Sequence, residues 1–283
     1  MSTERTMPNT EETVDTVRDR YGRIAEGTLS GCCGATPTPG CGTVEAGTAV
    51  TLGYEQRDLA GVPEAANLGL GCGAPVGLLD LKPGETVLDL GSGPGLDAFL
   101  AARHVGPTGH VIGVDMTPAM LQRARKAAAE AGLAQVEFRE GRLEAMPVAD
   151  GSVDAVTSNC VINLVPDKAA VFREVARILR PGGRMVVSDI VLDGTLPDVV
   201  AQDTLAWVGC VAGAAPRADY LAMVASAGLT GIEVLKDFDY IGKIGASLPE
   251  ELLAKMGRAG VQVDDLAGKV RSITYRAYKP ARS

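Results

Sequence analysis

The fifteen residues from Val87 to Ala101, VLDLGSGPGLDAFLA, constrain the fold of this chain more than any other stretch. An apolar run carrying Asp89 breaks into a loop with Gly91, Ser92, Gly93 and Gly95, and apolar residues then resume at helical spacing. A strand, a glycine turn and a helix start in that order make the first βα unit of an open α/β nucleotide-binding sheet. Glycine tolerates positive φ and leaves no Cβ to collide with a ligand, so the turn predicts a cofactor lying against bare backbone.

The rest of the chain extends this unit. His110–Asp115 reads as a second strand, followed by a helix with Thr117 as N-cap, Pro118 at its first position and Gly132 past its end. Strands follow at 135–139 and 153–158. Asp167 caps a helix with Val171, Val175, Ile178 and Leu179 on one face, and Pro181, Gly182 and Gly183 lead to a fifth strand, Arg184–Ile190. Alternation with short connections predicts a doubly wound, mostly parallel sheet with helices on both faces. Upstream, residues 11–27 suggest a polar helix and 30–42 a mobile, cysteine-rich loop. Downstream, helices at 197–208 and 216–227 and strands at 231–238 and 271–278 predict a segment that both completes the sheet and builds a small α+β lobe. The expected divisions are 1–60 for the N-terminal helix and cysteine-rich loop, 61–195 for the cofactor-binding domain and 196–283 for the remainder.

A net charge of −8 over 283 residues argues against nucleic acid or an anionic membrane surface as a partner. The polar opening residues lack the apolar core of a signal peptide, and the longest apolar stretch, Leu205 to Ala215, is interrupted by glycines. These features predict a cytoplasmic protein, where six cysteines are thiols, ligands or redox groups before they are structural disulfides.

A GxGxG turn serves nicotinamide and S-adenosylmethionine enzymes alike, and so does Asp115, a carboxylate ending the second strand where it can accept from ribose hydroxyls. The dinucleotide fingerprint wants glycine where Leu96 stands, and Asp89 is atypical of a dinucleotide site. DLGSGPG, VIGVD and REVARILRPGGRMVVSDIV together resemble the class I S-adenosylmethionine-dependent methyltransferases. That resemblance implies a seven-stranded Rossmann-like sheet and S-adenosylmethionine as methyl donor, with no metal cofactor. It assigns Gly91, Ser92, Gly93 and Gly95 to the methionine part, Asp115 to the ribose, Met116 to an adenine face and Leu143 and Glu144, in GRLE, to the adenine edge. Asp89 and Asn159 belong to the same expected site.

Only two histidines occur, His104 near a helix end and His110 opening a strand, so neither a Ser-His-Asp triad nor a histidine-rich metal site is supported. An oxygen or nitrogen acceptor normally needs a base to take its proton, whereas an acceptor with a free lone pair does not. Cys160 follows strand four, where ligands of open α/β sheets bind; Cys72 sits in GLGCG and Cys210 in WVGCVAGA. Free cysteines are commonly small buried hydrophobes, and the residues alone leave that reading open. Cys32, Cys33 and Cys41 show no CxxC spacing, and four zinc ligands cannot be assigned.

VPEAANLGLGCG, the glycine motif, SNCVINLVPD, DIV, VGCVAGA and KVRSITYRAYKP, in that order, resemble the bacterial arsenite S-adenosylmethionine methyltransferases from about Tyr21 onward. The resemblance implies Cys72, Cys160 and Cys210 as arsenic-binding thiols, arsenite or arsenic thiolates as substrate, and methylarsenite as a further acceptor. It also implies a cysteine relay, with Cys32, Cys33 and Cys41 as candidates, reduced by thioredoxin or glutathione. A methyltransferase for a carbon or oxygen nucleophile such as a quinone or lipid, and a non-catalytic arsenical-binding protein, remain the competing expectations.

Overall fold

The computed structural model describes residues 10–29, 49–244 and 248–281, so Cys32, Cys33 and Cys41 lie outside the described residues. Seven strands form one sheet in the order β3-β2-β1-β4-β5-β7-β6. They span Thr86–Leu90 (β1), His110–Asp115 (β2), Val136–Glu140 (β3), Val153–Asn159 (β4), Leu179–Leu192 (β5), Thr230–Asp239 (β6) and Val270–Tyr278 (β7). β1 to β5 are parallel, and β7 is antiparallel to both β5 and β6. The chain winds outward from β1 through β2 to β3 and returns to β4 on the other side of β1. The order therefore reverses between β1 and β4, and a crevice opens beyond their carboxyl ends, where such sheets bind ligands.

The central strands are apolar on both faces because helices cover both. On one face the helices α2 (Leu96–Val105) and α3 (Pro118–Glu130) pack Phe99 and Leu121 against Val87, Val111 and Phe138. On the other, α4 (Lys168–Ile178) and α5 (Arg217–Ser226) pack Phe172 and Tyr220 against Leu88, Val156 and Tyr275. Full burial of a side chain such as Phe99 or Phe172 contributes about 1.5–3 kcal/mol. The expected cap appears on α4, where Asp167 accepts from the amide of Ala170 at 2.9 Å.

Two expectations are corrected. Pro181, Gly182 and Gly183 do not precede β5 but lie within it: Val153 of β4 pairs with Leu179, and the next pairing is Ala155 with Arg184. The surplus residues bulge out, and Gly182 (φ 80) and Gly183 instead pair with Lys279 beyond β7, through N–O distances of 3.0 and 2.8 Å. The helix expected over 197–208 is two pieces, Asp198–Ala201 and Thr204–Val208. Asp203 breaks it by accepting from the amides of Leu205 and Ala206 at 2.8 and 3.0 Å, a cap in mid-run.

The remaining core lies against the carboxyl end of β5 and the amino end of β7, where Ile190, Leu192 and Val270 join it. Trp207, Tyr240, Leu252 and Met256, the last two on α6 (Glu250–Arg258), surround Cys72, Cys160 and Cys210. The N-terminal helix α1 (Thr10–Ala25) joins this layer through Val17. It is tied down at three places: Arg142 pairs with Glu11 at 3.0 Å, Arg123 donates to the carbonyl of Ala25 at 3.2 Å, and the Tyr21 hydroxyl donates to the carbonyl of Val208 at 3.1 Å. α1 thereby walls the crevice with Val14, Val17 and Tyr21.

Candidate active site

The glycine turn after β1 forms the floor of the crevice, and its three glycines do different work. Gly91 (φ 60) lies against Val161, whose Cγ2 would be 2.2 Å from an added Cβ, so it lets the loop after β4 approach. Gly95 (φ 100) opens α2, and a Cβ there would meet Phe138 and Phe99, each at 2.8 Å. It serves helix-to-strand packing and does not line the crevice. Gly93 (φ 50) faces open space, with Met120 Sδ at 4.0 Å the nearest atom to a Cβ. Bare backbone is thus presented to a ligand at Gly93.

Around this floor the polar groups are only partly satisfied. Asp115 accepts from the amides of Gly93 and Thr117 through different oxygens, at 2.9 and 2.8 Å. Asp115 also lines the crevice. Asp89 Oδ2 and Ser92 Oγ are buried and have no hydrogen-bond partner among the described residues. Buried polar atoms are rarely left so, which makes this cradle fit a ligand carrying donors. Burial, together with the neighbouring Asp97 and Asp115, pushes the Asp89 carboxyl well above its usual range. Burial also raises Asp97, to about 6, against the hydrogen bonds from Tyr54 and Asn159. A ligand bearing positive charge would relieve this crowding of carboxylates, and S-adenosylmethionine bears both an ammonium and a sulfonium. Met116, Leu143 and Glu144 line the same crevice, and Glu144 is held by Arg142 at 3.1 Å.

Asn159, at the end of β4, joins the cradle to the loop carrying Cys72. Its Oδ1 accepts from the amides of Cys72 and Gly73, at 2.9 and 3.3 Å. Its Nδ2 lies 2.8 Å from the Gly73 carbonyl, 2.7 Å from the Tyr54 hydroxyl and 3.2 Å from Asp97 Oδ2. Ser272 of β7 donates to the Cys72 carbonyl at 2.6 Å. The glycine-rich GLGCG segment, which composition marks as flexible, is therefore pinned from two strands. Gly71 and Gly73 permit the pinning: a Cβ on either would come within 2.9 Å of Asn159 or 2.5 Å of Ser188.

The three thiols meet at the sulfur-bearing end of the crevice. Cys160 and Cys210 line it, and Cys72 lies behind them, fully buried. The sulfurs of Cys72 and Cys160 and a carboxylate oxygen of Asp189 all lie within 4.8 Å of one another. Cys210 stands outside that group; its Sγ donates to the Cys160 carbonyl at 2.8 Å. Burial, with the charge of Asp189 nearby, pushes the Cys72 thiol up to about 11. Cys160 is drawn down by a hydrogen bond with Cys210 but raised by one with Cys72 and by burial, and the balance lies well above the ordinary value. Cys210 is raised by its bond with Cys160 and by burial. All three thiols are thus shifted toward their neutral form. Cys160 (φ 61) and Cys210 (φ 63) are two of the three non-glycine residues with positive φ among the described residues. Strain of this kind gathers at functional sites.

Sequence reasoning missed Tyr54, Asp97 and Asp189. Tyr54 donates to both oxygens of Asp97, at 2.8 and 2.9 Å. Asp189 accepts from Asn163 Nδ2 and from the Tyr220 hydroxyl, both at 2.8 Å. For Asp189 a signal existed: a carboxylate inside the apolar run MVVSDIVL cannot be there for burial alone. His110 is accounted for by Glu137, 2.9 Å away.

A methyltransferase-domain family model matches residues 81–235. The chain is 48% identical over 231 residues to an arsenite methyltransferase of Halobacterium salinarum, covering 79% of this chain and 59% of that protein. It is 35% identical over 280 residues to an arsenite methyltransferase of Aquipseudomonas alcaligenes, covering 94% of this chain and 72% of the relative. Among solved structures it is similar to CrArsM, an arsenic(III) S-adenosylmethionine methyltransferase from Chlamydomonas reinhardtii, with a TM-score of 0.61 at 33% identity, covering 87% of this chain and 75% of that one. A geranyl diphosphate C-methyltransferase from Streptomyces coelicolor, at 20% identity and a TM-score of 0.64, shares the fold. Cradle, sheet order and relatives agree: the chain belongs to the arsenite methyltransferase family within the class I methyltransferases.

Proposed function

We propose that this protein transfers methyl groups from S-adenosylmethionine to thiol-bound trivalent arsenic, arsenite first and methylarsenite as a further acceptor. The observation carrying this reading is that Cys72, Cys160 and Cys210, far apart in sequence, gather at one end of the crevice whose other end is the glycine cradle. S-adenosylmethionine, when bound, supplies an electrophilic sulfonium methyl group. Gly93 and Ser92 would hold its methionine part, Asp115 its ribose, and Met116, Leu143 and Glu144 its adenine.

Neutral thiols suit the acceptor. When arsenite condenses with three thiols, three As–S bonds form and each thiol proton leaves with a hydroxide as water, so no base is required and the raised thiol pKa values are no obstacle. Trivalent arsenic is soft and matches sulfur, and three sulfurs leave it a lone pair as the nucleophile. Positioning and the exclusion of water are then what the protein contributes. α1, walling the crevice, supports the second. Methylation removes two electrons from arsenic in the formal count. In our reading two thiols restore them and end as a disulfide, with Cys32, Cys33 and Cys41 as further relay candidates and thioredoxin or glutathione as the final reductant.

The test is methyl transfer by Cys160→Ser with arsenite, S-adenosylmethionine and a thiol reductant. We expect loss of turnover with S-adenosylhomocysteine binding intact. Turnover at the unaltered rate would end the thiol reading.

A further inference from the structure

The carboxylate beneath the thiols gives this site a second donor set. Arsenic in the reading above, on which this inference rests, uses three sulfurs. Yet the three donor atoms already closest together are the sulfurs of Cys72 and Cys160 and an oxygen of Asp189, mutually within 4.8 Å, while Cys210 is turned onto a backbone carbonyl. Two thiolates and a carboxylate are the donors of a tetrahedral d10 cation, with the fourth position left open. The carboxylate is also oriented as such ligands usually are. Tyr220 donates to one oxygen and Asn163 and the Ile190 amide to the other, at 2.8 to 3.0 Å. The oxygen facing Tyr220 retains a lone pair.

We infer that Cys72, Cys160 and Asp189 form a binding site for a thiophilic divalent cation, zinc or cadmium, that excludes arsenic by occupying two of its three sulfurs. Binding forms two metal–sulfur bonds and one metal–oxygen bond and releases to solvent two thiol protons, together with the Asp189 proton in molecules where burial has kept that carboxyl protonated, with no change of oxidation state. Cys210 is the residue that arsenic needs and the cation does not. Asp189 is the reverse, because pyramidal trivalent arsenic is complete with three sulfurs and directs its lone pair elsewhere. A chain that methylates one thiophile would thus be inhibited by another.

The experiment is residue-resolved alkylation of the full chain after loading with Cd2+ alone or arsenite alone, with exposure prolonged until slow opening lets the reagent label all three buried thiols of the unliganded chain. Cd2+ is expected to protect Cys72 and Cys160 and leave Cys210 reactive, whereas arsenite protects all three. Protection of Cys210 by Cd2+, or no protection of Cys72 and Cys160, overturns the inference. Failure of arsenite to protect any of the three overturns the arsenic reading separately. A second measurement uses Asp189→Asn in a chain with Cys32, Cys33 and Cys41 replaced by serine. Its ultraviolet sulfur-to-cadmium absorption should report at least about tenfold weaker Cd2+ affinity, with arsenite affinity little changed. Equal loss of both ligands in a variant that still binds S-adenosylhomocysteine would remove Asp189 from the site. Should that variant fail to fold, the alkylation pattern of the unaltered chain decides alone.

Discussion

The backbone amide of Cys72 donates to Oδ1 of Asn159 at 2.9 Å, across 87 residues of sequence. One carboxamide thereby fixes the Cys72 loop relative to the end of β4, and through Tyr54 and Asp97 relative to the cradle. Asn159→Ala should lower kcat/KM for arsenite about 10- to 100-fold, since small misplacements of reacting groups carry costs of that order. Steady-state assays at saturating methyl donor check this. An unchanged kcat/KM would mean that Ser272 alone holds the loop.

Gly73 packs against Ser188 so closely that a Cβ would lie 2.5 Å from its Oγ and 2.7 Å from its Cβ. Gly73→Ala should destabilise the protein by about 1–3 kcal/mol through overpacking. Ser188→Gly should restore part of that loss in the double variant, and a thermodynamic cycle of urea denaturation curves measures the coupling. Independent, additive effects would show that the clash is relieved elsewhere.

Gly93 differs, because a Cβ there enters open space above the cradle. Its φ of 50° still makes alanine cost about 1–2 kcal/mol. Gly93→Ala is therefore expected to weaken S-adenosylmethionine binding by a larger free energy than it lowers stability. Calorimetric titration beside thermal unfolding separates the two, and equal losses would mean that no ligand lies against this residue.

Arg184 grips both oxygens of Glu85 at 2.8 Å and donates also to the carbonyls of Leu79 and Asp80. Burial raises the Glu85 carboxyl, but the bonds from Arg184 and the Lys82 amide outweigh it and hold it below its ordinary 4.5. A depressed carboxylate stabilises the fold above that value and loses the contribution as pH falls through its folded value. Glu85→Gln should therefore be less stable by about 1–2 kcal/mol at neutral pH. The difference should shrink as pH drops below 4.5. Denaturation midpoints for both proteins between neutral and acid pH supply the check.

The glycine turn, Asp115, the cap at Asp167 and the strand alternation were legible because each is a local rule: a turn needs positive φ, a cap needs a short acceptor, a covered strand needs apolar residues throughout. The bulge in β5 was not, because Pro181 to Gly183 read as a stop until Lys279, nearly a hundred residues on, supplies partners. Nor was Tyr54, whose role depends on Asp97 and Asn159 coming to it from two other elements. The thiols were found by their loops and by resemblance, but the stiffness of the Cys72 loop is tertiary. Glycine content predicts freedom, and here it buys close packing instead.

Cys160 and Cys210 occupy backbone conformations, φ 61 and 63, that favour glycine. The protein therefore spends folding free energy on keeping sulfur where a residue without a side chain would rest more easily, on the order of 1–2 kcal/mol at each position. Glycine at either place should yield a hardier but inert molecule, so thermal resistance and the retention of sulfur in the crevice pull this chain in opposite directions.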